Sequence, residues 1–274
     1  MNSDIITIGD LQVNPQCSID HIHALSEYIW KHKPRYIVNI GDTFDFESLS
    51  FYASPLEKEG KRLKDDLDAG FRAMKAIMAY VDAMNAKSRR RAYRPELHFI
   101  MGNHEHRLER FIQNHPILTG LIDIKRSIED LGWTVHDYLV PHWIDGVCFM
   151  HFMPNPESSR AVGGGIENKL NKFRHSFVHG HQQKYQHGTR QNLEGKPHFG
   201  VCAGSFYIHD EDYRGANNTE KRGFLHLKAF TNRYNHLDHD VEFVSLERLL
   251  SGYGYEVEYG TNKQRSLSQG DGGG

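Results

Sequence analysis

Cysteine is scarce and poorly placed for its usual structural roles. Cys17, Cys148 and Cys202 are odd in number, far apart and in no C-x-x-C spacing. Neither a disulfide framework nor a cysteine-type zinc site is expected. Long apolar runs are missing too: none approaches the roughly 20 residues a membrane helix needs, so no membrane contact is expected. Charge of one sign is not in excess either. Lys and Arg total 33 against 35 Asp and Glu, a formal net charge of −2 over 274 residues. No overall field draws such a chain to nucleic acid or lipid, and any affinity for polyanions has to be local. The first strand begins within about five residues, leaving no room for a signal peptide. The expectation is a protein of the reducing cytoplasm, without internal repeats.

What the chain does have is a set of apolar runs that each end on a polar, metal-type ligand. Residues 5–8 run into Gly9-Asp10-Leu11-Gln12, and 36–40 into Gly41-Asp42. Residues 97–101 run into Gly102-Asn103-His104-Glu105, and 177–178 into His179-Gly180-His181. A further run, 147–150, delivers His151. One strand ending in glycine means little. Five that carry Asp, Asp, Asn, His and His describe a cluster able to hold metal ions.

Between these points the chain alternates strand and helix. A strand at 4–9, a helix at 18–32 stopped by Pro34, and a strand at 36–41 argue for α/β architecture with a parallel pair. Apolar residues at i+3/i+4 steps predict a long helix over 56–87. A strand at 96–102 precedes a helix at 105–113 and a second helix between Pro116 and Gly132. Asp145-Gly146 predicts a hairpin of 134–144 with 147–152, and a helix is expected at 167–174. Short strands follow at 176–178, 185–190, 198–202, 223–230 and 241–246. One domain over 1–259 is expected, with a disordered tail over 260–274.

In order and spacing, these fragments resemble the calcineurin-like metallophosphoesterases, whose pattern is D-x-H, G-D, G-N-H-[DE], a lone His and G-H-x-H. The resemblance covers roughly residues 4–210, and the chain's shortness looks like members carried by bacteria and tailed phages. It implies two mixed β-sheets packed face to face with helices outside, and a helical insertion around 50–95 beside the active-site mouth. It also implies hydrolysis of a phosphate ester at two divalent metal ions, manganese first, with Fe, Ni, Zn or Mg as alternatives. Carried over, Asp42 bridges the metals, Asn103, His151 and His181 complete one site, and Asp10 belongs to the other. His104 serves the leaving group, with Asp10 orienting it and raising its pKa. Two departures fall on one ion: the expected histidines are Gln12 and Gln183. Gln oxygen is a harder, weaker ligand than imidazole, so this all-oxygen site is expected to be weak or empty.

Around the cluster, Arg107 is a candidate for binding substrate phosphate. Asp45 is read as a turn residue or a hydrogen-bond support, and Gly163-Gly164-Gly165 as a loop or a phosphate cradle. Five positive charges over 87–94, with Tyr93 available to stack, suggest a nucleic-acid path; capping of the long helix explains the same charges. The substrate reading leans to a phosphodiester, nucleotide or nucleic acid. The alternatives are a protein or small-molecule phosphomonoesterase, though a Gly-Asp-x-x-Asp-Arg-Gly run is absent, and a binding module on a decayed fold. His179 is read as structural, and the other histidines, His98 and His142 among them, show no ligand spacing. Oligomeric state is not legible.

Overall fold

The computed structural model describes residues 3–50, 56, 58–155, 158, 160–193, 195–209, 221–232 and 235–255. The segment 260–274, expected as a tail, lies outside them. The opening reads β1 (Ile5–Ile8), α1 (Asp20–His32), β2 (Tyr36–Asn39), α2 (Leu63–Lys87) and β3 (Glu96–Ile100). Next come α3 (Asn103–Asn114), α4 (Ile124–Glu129), β4 (Thr134–His136), β5 (His142–Ile144) and β6 (Val147–Met150). The chain continues through α5 (Ile166–Phe173), β7 (Phe177–His179), β8 (Tyr185–Gln191) and β9 (Pro197–Ala203). It closes with β10 (Gly223–Thr231), β11 (Leu237–Ser245) and α6 (Leu246–Tyr253).

Two sheets result, in the strand orders β11-β10-β1-β2-β3-β4 and β5-β6-β7-β9-β8. Strand alternation sorts their side chains into layers. Ile5, Val38, Ile40 and Ile100 of the first sheet meet Ile144, Phe149, Val178 and Val201 of the second. The other face of the first sheet, with Ile6, Ile8, Ile37 and Phe99, is covered by Leu25 and Ile29 of α1, Met74 and Ile77 of α2, and Leu249 of α6. Ile166 and Leu170 of α5 cover Cys148 and Phe177 on the outside of the second sheet. The expected α/β sandwich with external helices is present.

The helix within 50–95 serves as a crossover. β2 and β3 are parallel, and a parallel pair needs a long return connection. Through α2, that return buries Ala69, Ala73, Met74, Ile77 and Val81 in the core. It starts at Leu63 rather than 56 because Gly60, at φ +79°, breaks the helical path. The helix expected over 116–132 is interrupted by Gly120 at φ +82°, and restarts at α4, where the Asp123 side chain accepts from the Arg126 N–H. The segment 134–144 is not one hairpin arm. It divides between the sheets: β4 pairs with β3, and β5 pairs with β6 across Asp145-Gly146. Leu139 at φ 65° and Pro141 end the first strand before the second begins. The turn itself has positive φ at both Asp145 and Gly146, the backbone a tight two-residue hairpin requires.

Candidate metal centre

Parallel β1, β2 and β3 end on one rim of the first sheet, and parallel β6 and β7 end on the facing rim of the second. This brings Asp10, Asp42 and Asn103 against His151 and His181 at the carboxyl ends of the strands, where open α/β sheets place ligands. The loops touch backbone to backbone. A Cβ on Gly102 would lie 2.2 Å from Asp42 Oδ1, and one on Gly41 would lie 2.5 Å from the Gly102 nitrogen.

Beneath this junction sits Glu105, fully buried. Its carboxylate accepts the backbone N–H groups of Gly102 (2.9 Å), Asp42 (2.9 Å), Thr43 (2.8 Å) and Phe44 (3.2 Å). One side chain thereby fixes the strand tips of β2 and β3 together. Burial, and next the charge of Asp42, push its pKa up. Because Glu105 is the third residue of α3 and its carboxylate caps Gly102, the helix begins at Asn103, two residues earlier than expected. Asn103 and His104 therefore project from a rigid first turn.

Four site residues hold left-handed backbone: Gln12 (φ 40°), Asp42 (φ 50°), His181 (φ 66°) and Gln183 (φ 54°). Each costs about 1–2 kcal/mol for a residue with a side chain. Such strain concentrates where side-chain placement serves a purpose.

The geometry of one half calls for a positive charge. His151 Nδ1 lies 2.9 Å from the Ile40 carbonyl, which can only accept, so Nδ1 carries the proton. Nε2 then faces Asn103 Oδ1 at 2.9 Å and Asp42 Oδ2 at 3.2 Å. His181 Nδ1 approaches the same Asn103 oxygen at 2.7 Å. With the Asn103 oxygen turned toward both imidazoles, a neutral His151 sets its Nε2 lone pair against that oxygen and the Asp42 carboxylate, and a proton or a cation between them relieves the conflict. Against the burial penalty, Asp42 and Asp10 raise the pKa of His151. A transition-metal cation meets the same demand with ligands suited to it, and Asp42, His151 and His181 each present an atom within 4.8 Å of the other two. The donor set fits a metal ion.

The other half is closed on itself. Gln183 Nε2 donates to Gln12 Oε1 at 2.8 Å, and the Tyr207 hydroxyl donates to Gln183 Oε1 at 3.3 Å. In either amide orientation, the pair uses one oxygen to satisfy its partner's N–H. Asp10 accepts the His181 N–H through Oδ1 at 3.0 Å, while its buried Oδ2 has no hydrogen-bond partner. Burial drives the Asp10 pKa upward, with the Asp42 charge adding to it. Here one open carboxylate oxygen is offered, and the glutamines must break a hydrogen bond to join it. This half fits a metal only weakly.

His104 departs from expectation. Its Nδ1 donates to the Asp45 backbone carbonyl at 2.6 Å, with Asp45 Oδ1 at 3.6 Å and Asp42 Oδ2 3.8 Å from Nε2. Asp45, rather than Asp10, orients the ring, because α3 and the β2 loop are locked together by Glu105 whereas Asp10 is engaged by the β7 loop. Burial lowers the His104 pKa, which Asp42 only partly offsets, so the expected rise is absent. Arg107 lies beside this ring and donates to the carbonyls of Asp45 (3.4 Å) and Phe46 (3.3 Å). It braces the loop that holds His104.

The surroundings supply what sequence spacing could not. Tyr138 and Phe152 stand against His151 and His181, with ring centroids at 6.4 Å and 5.3 Å. His179 is a packing residue, fully buried, with its pKa lowered to about 3 by desolvation. The carbonyls of Gly163 and Gly164 accept from Asn168 and Lys169. Tyr93 is not available for stacking: its hydroxyl donates to the Pro34 carbonyl at 2.6 Å and its ring packs on Trp30. The basic segment 87–94 leads into the start of β3, whereas Asn103 follows its end. A five-residue strand, roughly 16 Å long, separates them.

Fold and site together define an α/β two-sheet protein whose strand tips can hold a divalent cation. No family model and no curated protein matches the chain. Among solved structures it is similar to YfcE, a phosphoesterase from E. coli, at 11% identity over 89% of this chain and 99% of that one, with a TM-score of 0.40. A dimetal phosphatase from Danio rerio shares 12% identity over 89% and 98%, TM-score 0.39. Vps29 from Chaetomium thermophilum shares 10% over 88% and 95%, TM-score 0.38. Likenesses this distant carry no argument about activity, which has to come from the residues. No helix among the described residues is long and apolar enough to cross a membrane.

Proposed function

We propose that the chain is a metal-dependent phosphoesterase of the calcineurin-like kind, with its catalytic residues at the strand tips of one domain over 1–259. The observation that carries this reading is the convergence of Asp42, Asn103, His151 and His181, whose ligand atoms face one another, with His104 beside them. Asp42, Asn103, His151 and His181 would hold one divalent ion, manganese first, and Asp10, Gln12 and Gln183 would hold a second one loosely. When bound, such ions supply Lewis acidity that polarises the phosphoryl oxygens and eases deprotonation of water.

The chain's own residues do the rest. Asn103 and the left-handed turns at Asp42 and His181 present their donors without reorganisation. His104, fixed at Nδ1 by the Asp45 carbonyl, turns Nε2 toward the site. The Asp42 charge offsets part of the burial penalty on its protonated form, and a proton taken up at Nε2 is passed to the leaving oxygen. Arg107 keeps that loop in place, and its remaining N–H groups are the ones left for a substrate oxygen. Tyr138 and Phe152 wall the mouth against bulk water.

A diester or nucleotide substrate is the finer reading. Its support is a histidine placed to protonate an alkoxide leaving group; the basic segment and Tyr93 lend it none. Hydrolysis of bis-p-nitrophenyl phosphate, p-nitrophenyl phosphate and single-stranded DNA with manganese separates diesterase, monoesterase and nuclease. Turnover lost in His104→Ala with the fold intact supports the enzyme. Equal rates in wild type and variant leave a binding module as the reading.

A further inference from the structure

Away from the strand tips, the edge of the sandwich holds three histidines where aliphatic side chains would ordinarily pack. The register pairs His98 of β3 with Thr134 and Ile100 with His136 of β4. His98 and His136 therefore share the face on which Ile100 meets the second sheet. His142 opens β5, the edge strand of that second sheet. His98 Nδ1 and His136 Nε2 are 3.0 Å apart, and the rings of His136 and His142 stack with centroids at 3.5 Å. One nitrogen from each ring lies within 4.8 Å of the other two. Nε2 of His98 and Nε2 of His142 are sealed from solvent without a hydrogen-bond partner.

We propose that His98, His136 and His142 form a second metal site, structural in role, that takes a borderline divalent cation such as zinc and clips the two sheets together. The rings are half-buried, and a polar atom sealed from water is expensive unless satisfied; each neutral ring has one N–H and one lone pair, so the single contact between His98 and His136 leaves other ring nitrogens without a partner. Zinc–nitrogen bonds of about 2.0–2.1 Å set ligand nitrogens about 3.3 Å apart in a tetrahedron, close to the separation already present between His98 and His136. The group contains no carboxylate, and the nearby Asp137 is paired with Lys125 at 2.7 Å. Imidazole-only donors select zinc, nickel or copper over magnesium or calcium. Burial and mutual repulsion lower the pKa of His136 and His142 to about 4, so the rings are neutral at pH 7, as ligation requires. A clip here also anchors both ends of the 137–141 loop, which carries Tyr138 to the strand-tip centre.

The site does not depend on the phosphoesterase reading, and its test is built to fail separately. The full chain, stripped with a chelator, is titrated with zinc, and bound equivalents are counted by elemental analysis after gel filtration. His142→Ala and His136→Gln should each bind one equivalent fewer than wild type. The same loss of one should appear in a His181→Ala background, where the strand-tip centre is impaired. In that background zinc should raise the melting temperature, and His142→Ala should abolish the rise. Equal zinc counts in wild type and both variants would overturn the proposal, as would a zinc-induced rise that survives His142→Ala. Should His142→Ala fail to fold, His136→Gln, which keeps a polar side chain in the gap, decides by the same count.

Discussion

The two halves of the strand-tip centre use the same loops yet satisfy themselves in opposite ways. Around His151, the Nε2 lone pair of the neutral ring faces oxygens of Asn103 and Asp42, while His181 Nδ1 shares the same Asn103 oxygen. Around Gln12 and Gln183, amide donors and acceptors match, and Tyr207 completes the pairing. The first half needs a proton or a cation at His151 Nε2; the second is hydrogen-bonded without one. Two glutamines in place of imidazoles therefore do more than weaken a ligand set. They give the empty site a competing, internally bonded state that any ion must displace.

The largest expected effect comes from breaking the demanding half. His151→Ala should lower phosphoesterase turnover by at least about 10³-fold and remove the tightly held manganese, read by steady-state kinetics and elemental analysis together. Retention of the ion with lost turnover would assign His151 to another role. Converting the closed half is next. Gln12→His with Gln183→His should raise the affinity of the second ion by about 10- to 100-fold, seen as two retained metals per strand-tip centre where wild type retains one. An unchanged count would show that something other than the amide pair limits the site. Tyr207→Phe should act in the same direction but by only a few-fold, since it removes one hydroxyl hydrogen bond of about 1 kcal/mol from the closed state. Calorimetric titration of manganese reads this.

The smallest effect concerns pH and lies in α1, where His21 packs against Phe206. Burial holds the pKa of His21 near 3, so the folded chain keeps it neutral while the unfolded chain protonates it below about 6.5. The unfolded state thus binds more protons between those values, and stability falls as pH drops from about 6.5 toward 3. Urea midpoints of His21→Gln should show a flatter decline over that window. A decline as steep as that of wild type would mean that other groups carry the acid sensitivity.

Much of this was legible in sequence, for a local reason. Apolar runs ending in Gly-Asp, Gly-Asn-His and Gly-His report both a strand and the ligand at its tip, because a strand's end is where its side chains leave the sheet. The tight Asp145-Gly146 turn was legible likewise. Long-range partners were not. Glu105 belongs to the Gly102–Glu105 fragment, yet its role depends on the N–H groups of Asp42, Thr43 and Phe44, some sixty residues away. The family pattern pairs His104 with Asp10, while the structure turns it to Asp45 by the same clamp. In the sequence Gln12 and Gln183 are separate ligand positions; only their contact shows why they prefer each other. α6 escaped notice because its eight residues continue directly from β11, and His98 and His142 because they meet across two sheets.

Anomalous diffraction from crystals grown with manganese and recorded near its absorption edge probes the asymmetry most directly. One strong peak should lie among Asp42, Asn103, His151 and His181, with little or none beside Gln12 and Gln183. Peaks of equal height at both positions, or an empty pocket at the first, would contradict the account.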